Sequence, residues 1–217
     1  ELKERIRQGL LLTALSMLPL GALMMTLAFR IVQVVYQRGA FKQSASQLVG
    51  SLLIAYGVGM FVYLARDVLV RVFYALGDGD TPFRISIVNI LLNGVLDYIL
   101  VQPFGAAGLI LATVGVNFTS TLALLWLLDR KLNGLPLREW SLPIFGLTAI
   151  SFVAGLASWG VSWGFQQFWS TQALLIQLVQ LSIAGIVGLA VFALFAMQLK
   201  LPEVDIFVAR LRQKLRR

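Results

Sequence analysis

Ser86, Asn89, Asn93 and Asp97 follow one another at spacings of 3, 4 and 4. On a helix that spacing makes a single polar stripe. The stretch around it, Ile85 to Val101, is otherwise apolar, and Asp97 is its only acid. A carboxylate within a membrane span costs at least about 2.5 kcal/mol on insertion scales, so it faces a cavity or a partner and is a functional candidate by default. A little further on, Leu109, Thr113 and Asn117 are spaced by four and share a face, offering a backbone carbonyl, a hydroxyl and an amide. The short connection Gln102-Pro103-Phe104 makes the two segments antiparallel neighbours. Asp97 precedes Pro103 by 6 residues and Thr113 follows Gly105 by 8, which puts both about 9–12 Å from the turn at 1.5 Å per residue. Carboxylate, amide, hydroxyl and carbonyl oxygens suit a small hard cation, whereas soft metals want Cys or His, and the chain has neither. Two readings stay open on these residues alone: a cation or proton site, or interhelical hydrogen bonding between packed polar groups.

Three arginines and an acidic loop are the other candidates. Arg66-Asp67-Val68-Leu69-Val70-Arg71 continues an apolar helix, and Asp67 with Arg71 forms an i,i+4 pair while the adjoining Arg66 and Asp67 do not face each other. Arg66 and Arg71 are candidate contacts for an anionic substrate, or simple anchors on the charged side of the membrane. Arg30 and Arg38 bracket Ile31 to Tyr36; snorkelling with a tight turn at Gly39 accounts for them, and Arg30 is a further candidate substrate contact. Gly77-Asp78-Gly79-Asp80 resembles part of a calcium loop but lacks the later ligands and the closing Glu. Thr81 as N-cap with Pro82 at the first helical position explains it as a turn.

These residues sit in a chain of 217, 59% hydrophobic and 13% charged, against about 45–50% and about 25% for globular domains. The apolar residues are gathered into runs long enough to cross a bilayer core of about 30 Å. Six spans are expected: 9–29, 48–65, 85–101, 105–128, 141–163 and 173–199. The last two are fused, because no charged residue occurs between Trp140 and Leu199. The patch from Gly164 to Gln172 is the expected turn. The fold class is therefore an all-α, polytopic membrane bundle occupying 1–217 as one domain. Without Cys or His, thiolate and imidazole catalysis are excluded, and the chain does not read as an enzyme.

Alternate connections divide the basic residues unevenly. Fifteen of 18 Lys and Arg fall on the side of the termini, and three, Arg30, Arg38 and Lys42, on the other. The positive-inside rule then puts both termini in the cytoplasm. Trp126 and Trp140 flank the charged inner loop, and Trp159, Trp163 and Trp169 the outer turn, as interfacial belts would. This placement explains the net charge of +8 without nucleic acid, and no basic patch is interleaved with exposed aromatics. Residues 202–217 read as a basic amphipathic cytoplasmic tail on the inner leaflet, or as a solvated one. The start at Glu1, with a charged lead-in to Gln8 and no cleavage pattern, suggests a piece of a longer protein.

Read in order, Val35 to Phe41, Val72 to Pro82, Asn89 to Asp97, Gly105 to Leu109 and Ala112-Thr113 resemble the C-terminal portion of the MurJ (MviN) lipid II flippase family, within the multidrug/oligosaccharidyl-lipid/polysaccharide exporter superfamily. The resemblance implies the ninth to fourteenth helices of a fourteen-helix, two-lobe flippase in the bacterial cytoplasmic membrane. The substrate would be a polyprenyl-pyrophosphate-linked lipid, the undecaprenyl-linked peptidoglycan precursor, moved by alternating access, with membrane lipids and the N-terminal lobe of the same protein as partners. The last hairpin would form a groove for the polyprenyl tail. The family's sodium ligands match Asn93, Asp97, the Leu109 carbonyl and Thr113; sodium is the only bound species implied, with no organic cofactor. The family's further ligand on its seventh helix and most of its substrate-binding arginines lie outside this chain. A non-transporting scaffold lobe, a flippase for another polyprenyl-linked oligosaccharide and an intramembrane transferase acting on polyprenyl lipids are the competing readings.

Overall fold

A computed structural model describes residues 2–36, 43–168, 173–199 and 202–204. Six helices follow in order: α1 (Leu2–Tyr36), α2 (Gln43–Ala75), α3 (Asp80–Phe104), α4 (Ala106–Lys131), α5 (Leu137–Phe168) and α6 (Leu174–Gln198). Each is long and apolar enough to cross a membrane, and the described residues include no strand. Their packing runs as a row, α3 against α4, α4 against α2, α2 against α1 and α1 against α5, with α6 covering α5 and the near side of α1. α1 is the hub and α3 the edge.

Small residues set the closest approaches, as expected where lipid tails compete with side chains for apolar contact. A Cβ at Gly21 would stand 2.6 Å from the Gly57 carbonyl oxygen, so α1 and α2 meet backbone to backbone. On the other flank of α1, a Cβ at Gly188 would meet Leu23 of α1 and Ser158 of α5. Ser158 is fully buried and donates its hydroxyl proton to the Ala184 carbonyl at 2.6 Å, tying α5 to α6. Two apolar cores lie toward the end that carries the termini. One joins Ile6 and Leu10 to Leu69, Phe73, Leu124, Leu128 and Trp140; the other joins Ala14 and Leu15 to Leu147, Ala154, Phe192 and Val204.

Polar contacts fasten that end. Lys3 Nζ donates to the Gly134 carbonyl at 2.7 Å, and Arg7 pairs at 3.1 Å with Glu203, which is only 2% exposed. The tail's Glu203 and Val204 are thus buried in the bundle; the rest of the expected amphipathic tail, 205–217, lies outside the described residues, as do Arg38, Gly39, Lys42 and Trp169.

Three expectations are corrected here. Gly164 to Phe168, assigned to the outer turn, is the last turn and more of α5, because aromatic and Gln side chains tolerate a helix and the break signal comes later. Trp140, expected at the interface, is 4% exposed in the core of the terminal end. It begins α5 beside α1 and α4, where a large ring excludes more apolar surface than any other side chain. Trp126 does lie outward, half-exposed, with the Arg130 guanidinium 3.9 Å from its ring centroid. Finally, Thr81 lies inside α3, whose N-cap position is Gly79, and the side chain that reaches the helix start is that of Asp78. Its Oδ1 accepts the Thr81 N–H at 3.0 Å and its Oδ2 accepts the Thr81 hydroxyl at 2.8 Å. A carboxylate offers two acceptors to the helix start where a hydroxyl offers one.

Candidate functional site

The α2–α3 turn that positions the site is built by Gly77, whose φ of 72° is open to glycine at little cost. The Asp78 N–H reaches back to the Phe73 carbonyl at 2.9 Å and closes the end of α2. Asp78 then also pairs with Lys131 at the end of α4, so one carboxylate holds α2, α3 and α4 together. Lys131 and the Thr81 groups pull its pKa down to about 2.

From that anchor α3 and α4 run antiparallel in a fixed register. A Cβ at Gly108 would collide with the Leu100 carbonyl, and one at Gly115 would touch Leu96 at 3.3 Å. Asn89 Nδ2 donates to Ser120 Oγ at 3.2 Å. These three contacts bracket the stripe and set Asp97 level with residues 112–114 and Asn93 level with residues 116 and 117. Asp97 and Thr113 therefore share a depth, as their distances from the turn led us to expect. Thr113 donates its hydroxyl proton to the Leu109 carbonyl at 3.0 Å, and Asn117 Nδ2 donates to the Thr113 carbonyl at 2.7 Å. The carbonyl of Leu109 and the hydroxyl of Thr113 thus form an adjacent oxygen pair. Asn93 and Asp97 are half-exposed, and among the described residues Asp97 has no ion pair or hydrogen bond. The donor set is all oxygen and amide, and no three His, Cys, Asp or Glu cluster among the described residues.

Deeper along α3, the stripe is satisfied within the chain. Arg66 of α2 donates from Nε to Ser120 Oγ at 3.1 Å and from Nη2 to Ser86 Oγ at 3.5 Å. Ser120, 2% exposed, receives both Arg66 and Asn89. The sequence reading missed Ser120, although it follows Thr113 by 7 and Asn117 by 3 and so falls on their face. Arg66 also comes within 3.9 Å of Asp67. The expected Asp67–Arg71 pair does not form: the Asp67 carboxylate leans to Arg66 and Arg71 is exposed without a described ion pair. Arg71, five positions beyond Arg66, emerges on another side of α2. Arg30 lies near the opposite end, on α1, where it bonds Gln33 of the same helix at 3.4 Å. The three candidate arginines are not brought together.

A family model described as lipid II flippase MurJ matches residues 1–180. The chain belongs to the MurJ lipid II flippase family. It is 46% identical over its whole length to a probable lipid II flippase MurJ of Synechocystis sp., of which it covers 41%. It is 27% identical over 202 residues to a protein of the same description from Rhizobium tropici, covering 37% of it, and 26% identical over 209 residues to one from Thermotoga maritima, covering 40%. The chain spans about two fifths of the length of these relatives. Among solved structures, a lipid II flippase MurJ in an inward closed conformation matches 93% of this chain and 40% of its own with a TM-score of 0.68 at 22% identity, a likeness of fold. With six apolar helices, membership places the chain in the bacterial inner membrane as a multi-pass protein.

Proposed function

We propose that this chain is the C-terminal part of a lipid II flippase, which moves the undecaprenyl-linked peptidoglycan precursor across the cytoplasmic membrane by alternating access, coupled to sodium. Beyond membership of the family, one observation carries the reading. α3 packs on α4 and scarcely on α2, so the upper half of its polar stripe, Asn93 and Asp97, is only partly covered within the chain and Asp97 has no described ion pair. A carboxylate in that position faces a cavity completed by the remainder of the protein. The Asp97 carboxylate, the Asn93 amide oxygen, the Leu109 carbonyl and the Thr113 hydroxyl form the sodium ligand set on this side. A bound cation would supply charge that holds the two lobes in one arrangement, and Asp97 would change partner when it leaves. Arg66, held by Ser86 and Ser120, presents a cation at the depth the substrate's pyrophosphate would enter. Both termini are cytoplasmic, which sets Asp78, Lys131 and Arg66 toward the inner leaflet.

The test is translocation of lipid II by the full-length protein in liposomes, with sodium or potassium outside, for wild type and Asp97→Asn. Sodium-stimulated exchange in wild type, lost in the variant while the protein remains folded, is the expected result. Exchange that ignores sodium in both proteins would remove the coupling. Absence of exchange in the full-length wild type would favour a scaffold lobe. Residues 1–217 alone should insert but not translocate, since one lobe cannot enclose a two-sided cavity.

A further inference from the structure

At the end of the bundle away from the termini, α1 carries a half-buried guanidinium in unusual company. Arg30 donates from Nε at 2.9 Å and from Nη2 at 2.7 Å to the carboxamide of Gln166 on α5, when that amide is oriented with its oxygen toward the arginine. Its Nη1 reaches Gln33 at 3.4 Å. The adjoining cleft is lined by Arg30, Val34, Ser162, Gln177, Gln180 and Leu181, so α6 brings two more amides to this end. Both described partners of Arg30, Gln33 and Gln166, are neutral. No Asp or Glu occurs from residue 5 to 66 or from 140 to 202, so α5 and α6 bring no carboxylate to Arg30 and the only acid of α2 is Asp67, at its other end. Asp97 lies on α3, across α4 and α2.

A partly buried charge is stable only when compensated, and amide oxygens solvate a guanidinium without neutralising it. We propose that Arg30 with the amides of Gln166, Gln177 and Gln180 forms a receptor for a phosphate anion, supplied by the headgroup of a phospholipid. The depth fits: Arg30 stands six residues before the end of α1, and Trp159 and Trp163 of α5 emerge half-exposed nearby, as side chains do at headgroup level. The chemistry fits as well. A planar guanidinium matches phosphate oxygens better than any other side chain. With the Gln166 oxygen turned to Arg30, its NH2 points away as a further neutral donor. Ser162 adds a hydroxyl. This site is independent of the α3 stripe and of the flippase reading.

The experiment is lipid binding to the full-length protein, counted as adducts by native mass spectrometry and checked by thermal stabilisation. The probes are dioleoylphosphatidylglycerol, dioleoyl monogalactosyldiacylglycerol with the same tails and no phosphate, and inorganic phosphate. Wild type should bind phosphatidylglycerol at least about tenfold tighter than the galactolipid. Arg30→Gln should lose that preference, and Gln166→Glu should lose it too, because a built-in carboxylate takes the anion's place. Should Arg30→Gln fail to fold, Gln166→Glu alone decides. Equal preference in wild type and Gln166→Glu, or no preference over the galactolipid in wild type, would overturn the receptor. Displacement of phosphatidylglycerol from wild type by millimolar inorganic phosphate would keep the phosphate chemistry and overturn the lipid as its source.

Discussion

α1 and α3 are both apolar helices of membrane length, yet half of the most hydrophobic window of α1 is buried inside the chain and none of that of α3 is. α1 touches α2, α5 and α6 through glycines and apolar side chains, with Gly21 against Gly57 and Leu23 under Gly188. α3 carries the polar stripe and leans on a single neighbour. The difference separates two jobs. α1 holds the bundle together, and α3 leaves most of its surface uncovered by the chain.

The largest effect should come from filling the hub. Gly21→Val would drive a side chain into the Gly57 carbonyl and should cost about 1–3 kcal/mol, the usual penalty of overpacking, seen as a lower melting temperature and poor recovery from membranes. Gly94, on α3, has nothing within 4 Å of its Cβ position. Gly94→Ala should leave the stability of residues 1–217 unchanged or raise it by up to about 1 kcal/mol through helix propensity. Equal losses at both positions would erase the contrast between the helices.

A smaller effect is expected at Ser158→Ala. It removes the buried bond to Ala184 and should cost about 0.6 kcal/mol, the average for hydrogen bonds between membrane helices. Smaller still is the turn that starts α3. Asp78 is held ionised by Lys131 and Thr81, its pKa lowered from 3.8 to about 2. A lowered carboxylate pKa stabilises the fold fully above its unfolded value and loses that contribution as pH falls through its folded value. Stability should therefore show no Asp78-dependent change between pH 5 and 8 and should drop between about pH 4 and 2, a step that Asp78→Asn abolishes. A step at neutral pH would mean that another group fastens the turn.

Orientation provides a fourth test. Single cysteines at Asn133, Gln43 and Gln167, in a chain without native Cys, should divide with Asn133 protected from an impermeant thiol reagent in whole cells and the other two labelled. Labelling at Asn133 would reverse the bundle and with it the side of the membrane on which Arg66 lies.

The sequence made the two helices legible to different degrees. Charge-free runs of about 20 residues betray a span whatever it packs against, so the six helices and the hairpin of α3 with α4 could be read directly. The shared depth of Asp97 and Thr113 followed from counting residues to a short turn. Other features depended on tertiary partners. Thr81 reads locally as a cap, but α3 starts before it, and the Asp78 side chain that reaches the helix start also pairs with Lys131, 53 residues on. Trp140 is buried because α1, α2 and α4 converge over it, which no local pattern encodes. Arg30 looked like a snorkelling residue until α5 brought Gln166 to it.

The contrast between α1 and α3 is tested most directly by asking what solvent each side of α3 meets. In the full-length protein, single cysteines at Asn93 and Asp97 should react with a water-soluble maleimide, as the cavity we propose for the stripe requires. A cysteine at Val95, which is 56% exposed in the chain alone and about half a turn from Asn93, should remain unreactive in lipid. Reaction at Val95 with Asn93 and Asp97 inert would contradict the account.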